Sequence, residues 1–151
     1  VFELKVPPPI VTLVLALLMW LTPGVAGFVQ IPDAVRVLCA VVLVAVGQGI
    51  GIAGMVAFRR ASTTVNPVKA NLASLLVVRG VYRYTRNPMY LGFLLTLLAW
   101  AVFLANPLAV LWVVVFVLFI TRFQIIPEER VLATLFGAEY EAYKGRVRRW
   151  V

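Results

Sequence analysis

Four long apolar runs divide the chain, with short polar interruptions between them. Ile10 to Val29 is broken only by Pro23-Gly24 near its far end, and it has the ~20 residues that a helix needs to cross a bilayer. Its basic flank is thin and no small-residue cleavage site stands out after it, so it reads as a retained helix rather than a signal peptide. Val35 to Phe58 is the second run, entered through Pro32-Asp33 and stopped by Arg59-Arg60. Met89 to Ala105 is the third and Pro107 to Ile126 the fourth. Asn106-Pro107 leaves room only for a tight turn between them, which makes the pair a helical hairpin. Beyond Pro127, Val131, Leu132, Leu135, Phe136, Tyr140 and Tyr143 recur at three- and four-residue spacing among charged residues. That spacing predicts an amphipathic helix over 128–150, lying against the bilayer or the bundle. The expected architecture is all-α: one polytopic domain over 1–151, with four transmembrane helices at about 10–29, 35–58, 89–105 and 107–126 and a loop over 59–88.

Composition agrees with the pattern. Of 151 residues, 63% are hydrophobic and 13% charged, and the mean hydropathy is +0.99. A soluble domain carries about 25% charge and about 45–50% apolar residues. Cys39, the sole cysteine, lies in an apolar run and reads as a small buried hydrophobe. There is no histidine, which removes Ser-His-Asp and Cys-His nucleophiles, His-based zinc sites and an imidazole base. No metal is expected. The net charge of +8 gathers between Arg59 and Arg86 and again after Arg122. Basic loops separated by uncharged runs are the positive-inside signature of a membrane protein, and nucleic-acid binding is not expected. The 59–86 segment holds six basic residues and no acid, whereas the Asn106 turn holds no charge. This places the 59–86 loop and both termini in the cytoplasm, with localisation expected in a bacterial or archaeal inner membrane.

Reactive residues concentrate on that one face. In the second run, Gly47 and Gly51 form a GxxxG pair around Gln48, a signal of close helix packing with a ligand role for Gln48 as the lesser alternative. The loop carries Gly80, Tyr82, Arg83, Tyr84 and Arg86-Asn87-Pro88-Met89-Tyr90. An interfacial anchor explains these residues as well as a site does. Glu128-Glu129 follow Pro127, where acids in a first helical turn complement the dipole. Paired carboxylates facing an acid-free basic loop also suit a cationic ligand. Arg122, one turn inside the fourth run, is placed to snorkel to the surface.

Leu76-Val77, Gly80-Val81-Tyr82, Arg86-Asn87-Pro88-Met89-Tyr90-Leu91-Gly92, Glu128-Glu129 and Phe136-Gly137-Ala138-Glu139-Tyr140-Glu141-Ala142-Tyr143 together resemble the isoprenylcysteine carboxyl methyltransferase family. That family includes small prokaryotic integral-membrane methyltransferases and is related to phospholipid N-methyltransferases. The likeness runs from about Thr63 to Val147; the first two spans match only in being hydrophobic. It implies a non-Rossmann site for S-adenosylmethionine, giving S-adenosylhomocysteine as product, on the cytoplasmic side. The absence of a glycine-rich strand-to-helix fingerprint agrees with this. Carried over by position, cofactor contacts fall on Ser74, Leu75, Leu76, Val77, Tyr82, Asn87, Pro88, Met89, Tyr90 and Glu128. Arg86 and Glu129 are the candidate catalytic residues, Arg86 by holding the acceptor or a cofactor carboxylate. Asn87 stands where the family often has histidine. Gln124 stands where the eukaryotic enzymes have a substrate-contacting arginine, with Arg122 nearby but out of register; both are candidate substrate-binding residues.

Methyl transfer from a sulfonium needs orientation more than a strong base, so the lack of histidine is no obstacle. The resemblance therefore implies a methyltransferase acting on an amphiphilic or lipid-like acceptor entering from the bilayer. The alternatives are phospholipid N-methylation and a non-catalytic membrane scaffold. A proton-coupled transporter fits less well, because no acid lies within the apolar centres of the four runs.

Overall fold

The computed structural model describes residues 4, 6–24, 31–61 and 75–151. Its described residues form five α-helices, a 3-10 turn and a π-helical turn, with no strand among them. Helix α1 (Pro8–Leu21) begins in the Pro7-Pro8-Pro9 run, where missing N–H groups cost nothing. It ends before Pro23-Gly24, so it is shorter than the run from Ile10 to Val29 suggests; residues 25–30 lie outside the described residues. Helix α2 (Asp33–Arg60) has 28 residues and is roughly 42 Å long at 1.5 Å per residue. Asp33 pairs with Arg36 at 2.9 Å in its first turn, and Arg59 and Arg60 complement the dipole at its end. Helix α3 (Pro88–Leu104) is central, packing on α1, α2 and the next helix, α4 (Ala109–Ile120).

The α3–α4 hairpin is closed by Asn106, as the sequence predicts. Its Oδ1 accepts from Leu108 N at 3.1 Å while its Nδ2 donates to Thr22 O at 3.1 Å. Trp112 Nε1 donates to Thr22 Oγ1 (2.7 Å) and Trp100 Nε1 to Ala16 O (3.0 Å), so both indole donors are spent on binding α1. Between these helices Met19, Leu97, Phe116, Ile120 and Ile125 are fully buried.

Helices α2 and α3 approach each other closely at a pair of glycines. A Cβ on Gly92 would lie 2.7 Å from Gly47 O, and one on Gly47 would lie 2.9 Å from Gly92 O. The GxxxG reading as a packing face is thus correct, with Gly92 as the partner. Gln48 Nε2 donates to Thr96 Oγ1 at 3.0 Å, tying the same two helices. The outward faces remain apolar: Leu13 is 71% exposed, Leu38 63% and Leu118 64%. Cys39 is exposed on this surface rather than buried. By length and composition two helices suffice to cross a membrane, α2 and the continuous helix Ala109–Arg146; α1 and α3 are shorter apolar helices.

That continuous helix corrects the expected boundary at Pro127. The π turn (Thr121–Ile125) carries α4 directly into α5 (Ile126–Arg146), with helical dihedrals at Ile120, Thr121, Ile125 and Ile126. The C-terminal amphipathic helix is also not one rod. Gly137, at φ +48°, breaks it, and residues 147–151 leave the helix altogether. The stripe from Val131 to Tyr143 is therefore split, and only Tyr140 and Tyr143 of it are buried.

Candidate functional site

The site forms where the 3-10 turn (Gly80–Arg83), the start of α3 and the two ends of α5 meet. Gly80 adopts φ +63°, a conformation that favours glycine, and this turns the chain into Tyr82. Tyr82 is buried against Tyr140, Tyr143 and Val147, with Leu76 and Val77 packed on the cluster. Phe58 meets it edge-on at 5.3 Å, and Tyr143 Oη donates to Tyr82 O at 2.7 Å. On α2, a Cβ at Gly54 would meet Pro88 Cγ at 2.8 Å, so that glycine seats the first turn of α3. Thr85 Oγ1 accepts from Asn87 N at 3.1 Å and fixes the entry to the helix.

From that turn Tyr90 reaches across to α5, and its Oη donates to Glu128 Oε1 at 2.5 Å. Burial pushes the Glu128 carboxyl from its ordinary 4.5 up to about 7; the Tyr90 hydrogen bond pulls it down, and the neighbouring Glu129 charge pushes it up. Glu129 has different company. Arg149 grips it with two bonds, Nε to Oε1 at 3.0 Å and Nη2 to Oε2 at 2.7 Å, and Arg86 Nη1 stands 3.1 Å from Oε1. The Glu129 hydrogen bond and charge in turn push Arg149 upward. Arg86 Nε and Nη1 are buried without a well-aligned acceptor, so the Arg86–Glu129 contact is an ion pair that leaves donor capacity unused. The tail after α5 is stitched to the same turn: Asn87 Nδ2 donates to Arg149 O (2.8 Å) and Arg86 N to Arg148 O (3.1 Å).

The expected residues Leu76, Val77, Tyr82, Arg86, Asn87, Pro88, Tyr90, Glu128 and Glu129 therefore lie on the two connected parts of one site, the tyrosine cluster and the α3–α5 junction. Met89 is half-buried in the first turn of α3, Leu75 is exposed, and Ser74 lies outside the described residues. Gln124 and Arg122 sit in the π turn. Gln124 is 1% exposed, and its Nε2 donates to Val6 O at 2.7 Å, a bond within the chain. Arg122 is exposed, with its guanidinium 5.5 Å from the Phe123 ring. Arg149 and Thr85 are the residues of this candidate site that the sequence did not single out; Tyr140 and Tyr143 entered it as apolar positions and as part of the last motif block, without a site role. No group of residues able to hold a metal ion occurs among the described residues.

The family model for phospholipid methyltransferases matches residues 35–139. The chain belongs to that family. The match takes in nearly all of α2 and the motif blocks as far as Glu139, so the likeness extends further toward the N-terminus than the motifs alone suggest, while α1, Tyr140, Tyr143 and Arg149 lie outside it. The chain is 37% identical over 109 residues to a protein of Oryza sativa subsp. indica named probable protein-S-isoprenylcysteine O-methyltransferase, covering 70% of this chain and 56% of that one. It is 33% identical over 104 residues to the protein-S-isoprenylcysteine O-methyltransferase of Schizosaccharomyces pombe, covering 67% and 43%. An uncharacterized protein of Haemophilus influenzae is 54% identical over 63 residues, 42% of this chain and 100% of that protein. The chain spans about half the length of the named methyltransferases it matches. No solved structure matches it.

Proposed function

We propose that this member of the phospholipid methyltransferase family is an integral-membrane methyltransferase that uses S-adenosylmethionine on an amphiphilic acceptor. The observation that carries the reading is the Tyr90–Glu128 bond beside the Arg86–Glu129 pair, at the junction of α3 and α5. Its donor set suits the cofactor. Glu128 offers a carboxylate for a cationic portion, Arg86 has unused buried donors for a carboxylate, and the Tyr82 and Tyr90 rings offer faces to a sulfonium. Asn87, Pro88 and Met89 shape the turn between them, and Leu76 and Val77 supply apolar wall. When bound, the cofactor contributes a methyl group on an electrophilic sulfur. The protein's task is then to orient the acceptor and exclude water. Glu129, held from two sides, keeps Arg86 in place.

The membrane setting is part of the reading. The exposed apolar faces of α1, α2 and α4 suit lipid contact, and we assign α1, α2, α3 and α4 with its π turn as four spans. The basic segment after α2 and the start of α5 then lie on the cytoplasmic side. The acceptor enters laterally from lipid; amine acceptors of the phospholipid type and carboxylates of the isoprenylcysteine type both fit.

Purified protein in nanodiscs, given native lipid extract and methyl-labelled S-adenosylmethionine, tests this. Label is expected in an amphiphilic product, base-labile for an ester and base-stable for an amine. Calorimetry should show micromolar-range affinity, about −8 kcal/mol. No labelled product together with no cofactor binding would leave the scaffold reading instead.

A further inference from the structure

Apart from that junction, the 3-10 turn and the end of α5 enclose an open groove of about 540 Å³, lined by Arg79, Gly80, Arg83, Tyr143, Arg146 and Val147 among others. All three arginines are exposed. Arg146 Nε spends one donor on Ala142 O at 3.3 Å within its own helix, and among the described residues Arg79 and Arg83 have no acceptor or carboxylate. No acid lines the groove, and Glu139, one helical turn before Tyr143, is exposed and not among its lining residues; the other acids among the described residues have partners. Asp33 pairs with Arg36, Glu128 with Tyr90, Glu129 with Arg86 and Arg149, and Glu141 with Lys144. Residues 62–74, which precede the groove in sequence, contain no acid either. Three guanidiniums around a cavity with no internal counter-charge repel one another and lower each other's cost of taking an anion. Guanidinium forks match the oxygens of a phosphate.

The depth of the groove chooses the source of that phosphate. Phe58, on the last turns of α2, packs edge-on against Tyr82 of the 3-10 turn. The exposed apolar surface of α2 runs through Ile52, Met55 and Val56 and stops at Arg59-Arg60. The groove therefore lies level with the end of the apolar surface, where headgroups begin. Tyr84, 75% exposed beside Arg83, is the kind of residue that sits at that level. We propose that the Arg79–Arg83–Arg146 groove binds the phosphate of an anionic lipid headgroup, beside the Tyr82–Tyr140–Tyr143 cluster, whose Tyr143 lines it. The proposal rests on the membrane-spanning reading of α2 but not on the cofactor or the methyl acceptor.

The test uses the full chain in phosphatidylcholine bilayers with spin-labelled phosphatidylglycerol or spin-labelled phosphatidylcholine, reading the fraction of lipid immobilised by the protein. Wild type should prefer phosphatidylglycerol by about fivefold or more, the fold-change that one interfacial arginine's ~1 kcal/mol produces. Arg79→Gln/Arg83→Gln should bring the preference close to one, with an unaltered melting temperature because neither side chain holds the fold. Arg59→Gln/Arg60→Gln removes the same charge outside the groove and should keep most of the preference. An equal loss in both double variants would show diffuse attraction and overturn the groove, as would full preference in the first. Millimolar inorganic phosphate at matched ionic strength should leave the selectivity in place; its abolition would mean that the groove takes free phosphate and would overturn the lipid assignment. A protein that fails to enter the bilayer overturns the membrane reading itself, whereas a reconstituted protein without selectivity overturns only the groove.

Discussion

Glu128 offers the sharpest test of the proposed cofactor site, because its two protonation states should do opposite things. Burial raises its carboxyl from 4.5 to about 7, so the folded chain holds this proton more tightly than the unfolded one. The associated stability is fully present below about pH 4.5 and is lost as the pH rises through 7, a loss on the order of 3 kcal/mol. A cationic ligand should reverse the preference, since it needs the carboxylate. Below pH 7 binding must expel the proton, and affinity should fall about tenfold per pH unit. Between pH 8 and pH 6 the Kd for S-adenosylmethionine should therefore rise about tenfold, equivalent to ~1.4 kcal/mol. Glu128→Gln keeps the shape and the acceptor for Tyr90 but removes the charge. At pH 8 it should weaken binding by about 1.5–3 kcal/mol, the range for hydrogen bonds to charged groups, and it should flatten the pH dependence. Because the variant is neutral at every pH, its unliganded stability should no longer decline between pH 4.5 and 7. Calorimetry in detergent micelles, in buffers of different ionisation enthalpy, reads both affinity and proton release. Wild-type affinity that ignores pH, or a Glu128→Gln variant with unchanged affinity and only an altered melting curve, would refute the assignment.

Arg149→Gln should lower thermal stability in detergent by about 1–2 kcal/mol, less than a buried charged bond because Arg149 is 36% exposed on its side chain; an unchanged melting temperature would show that the tail adds nothing to the junction. Gly92→Ala should destabilise by about 1–3 kcal/mol, since its Cβ would meet Gly47 O at 2.7 Å and force α2 from α3. Gly49→Ala, with nothing within 4 Å of the added carbon, serves as its neutral control.

The helical runs were legible because lipid-facing and core-facing positions in this chain are both apolar, and long apolar runs survive whatever the packing. The same uniformity hid the boundaries. Nothing in Ile120-Thr121-Arg122-Phe123 distinguishes a helix that stops from one that changes pitch, and Gly137 hides its left-handed turn inside a helical spacing. The site was legible where its residues are consecutive, as in Arg86-Asn87-Pro88-Met89-Tyr90. Arg149 was not, because its value lies in folding back 20 residues onto Glu129, and one more arginine in a basic tail looks like any other.

The acid pair shows how a local rule fails when the element it assumes is absent. Proline followed by two acids predicts a helix start, where the carboxylates would complement four free N–H groups. Here the helix passes through Pro127 without starting there. An interior proline deprives the carbonyl four residues earlier of its donor and crowds it. That carbonyl belongs to Phe123, and it accepts instead from Leu4 N at 3.0 Å while the π turn widens the helix around it. Gln124 Nε2, bonded to Val6 O, holds the same N-terminal segment in place. With the backbone satisfied in this way, the dipole has no free end near residue 128, and the acids must be explained by what they face. Consecutive residues on a helix point about 100° apart, so Glu128 turns to the phenol of Tyr90 while Glu129 turns to two arginines. One carboxyl is held by a neutral donor and the other by cations, and that difference is why the proposed site gives the cationic ligand to Glu128 rather than to Glu129.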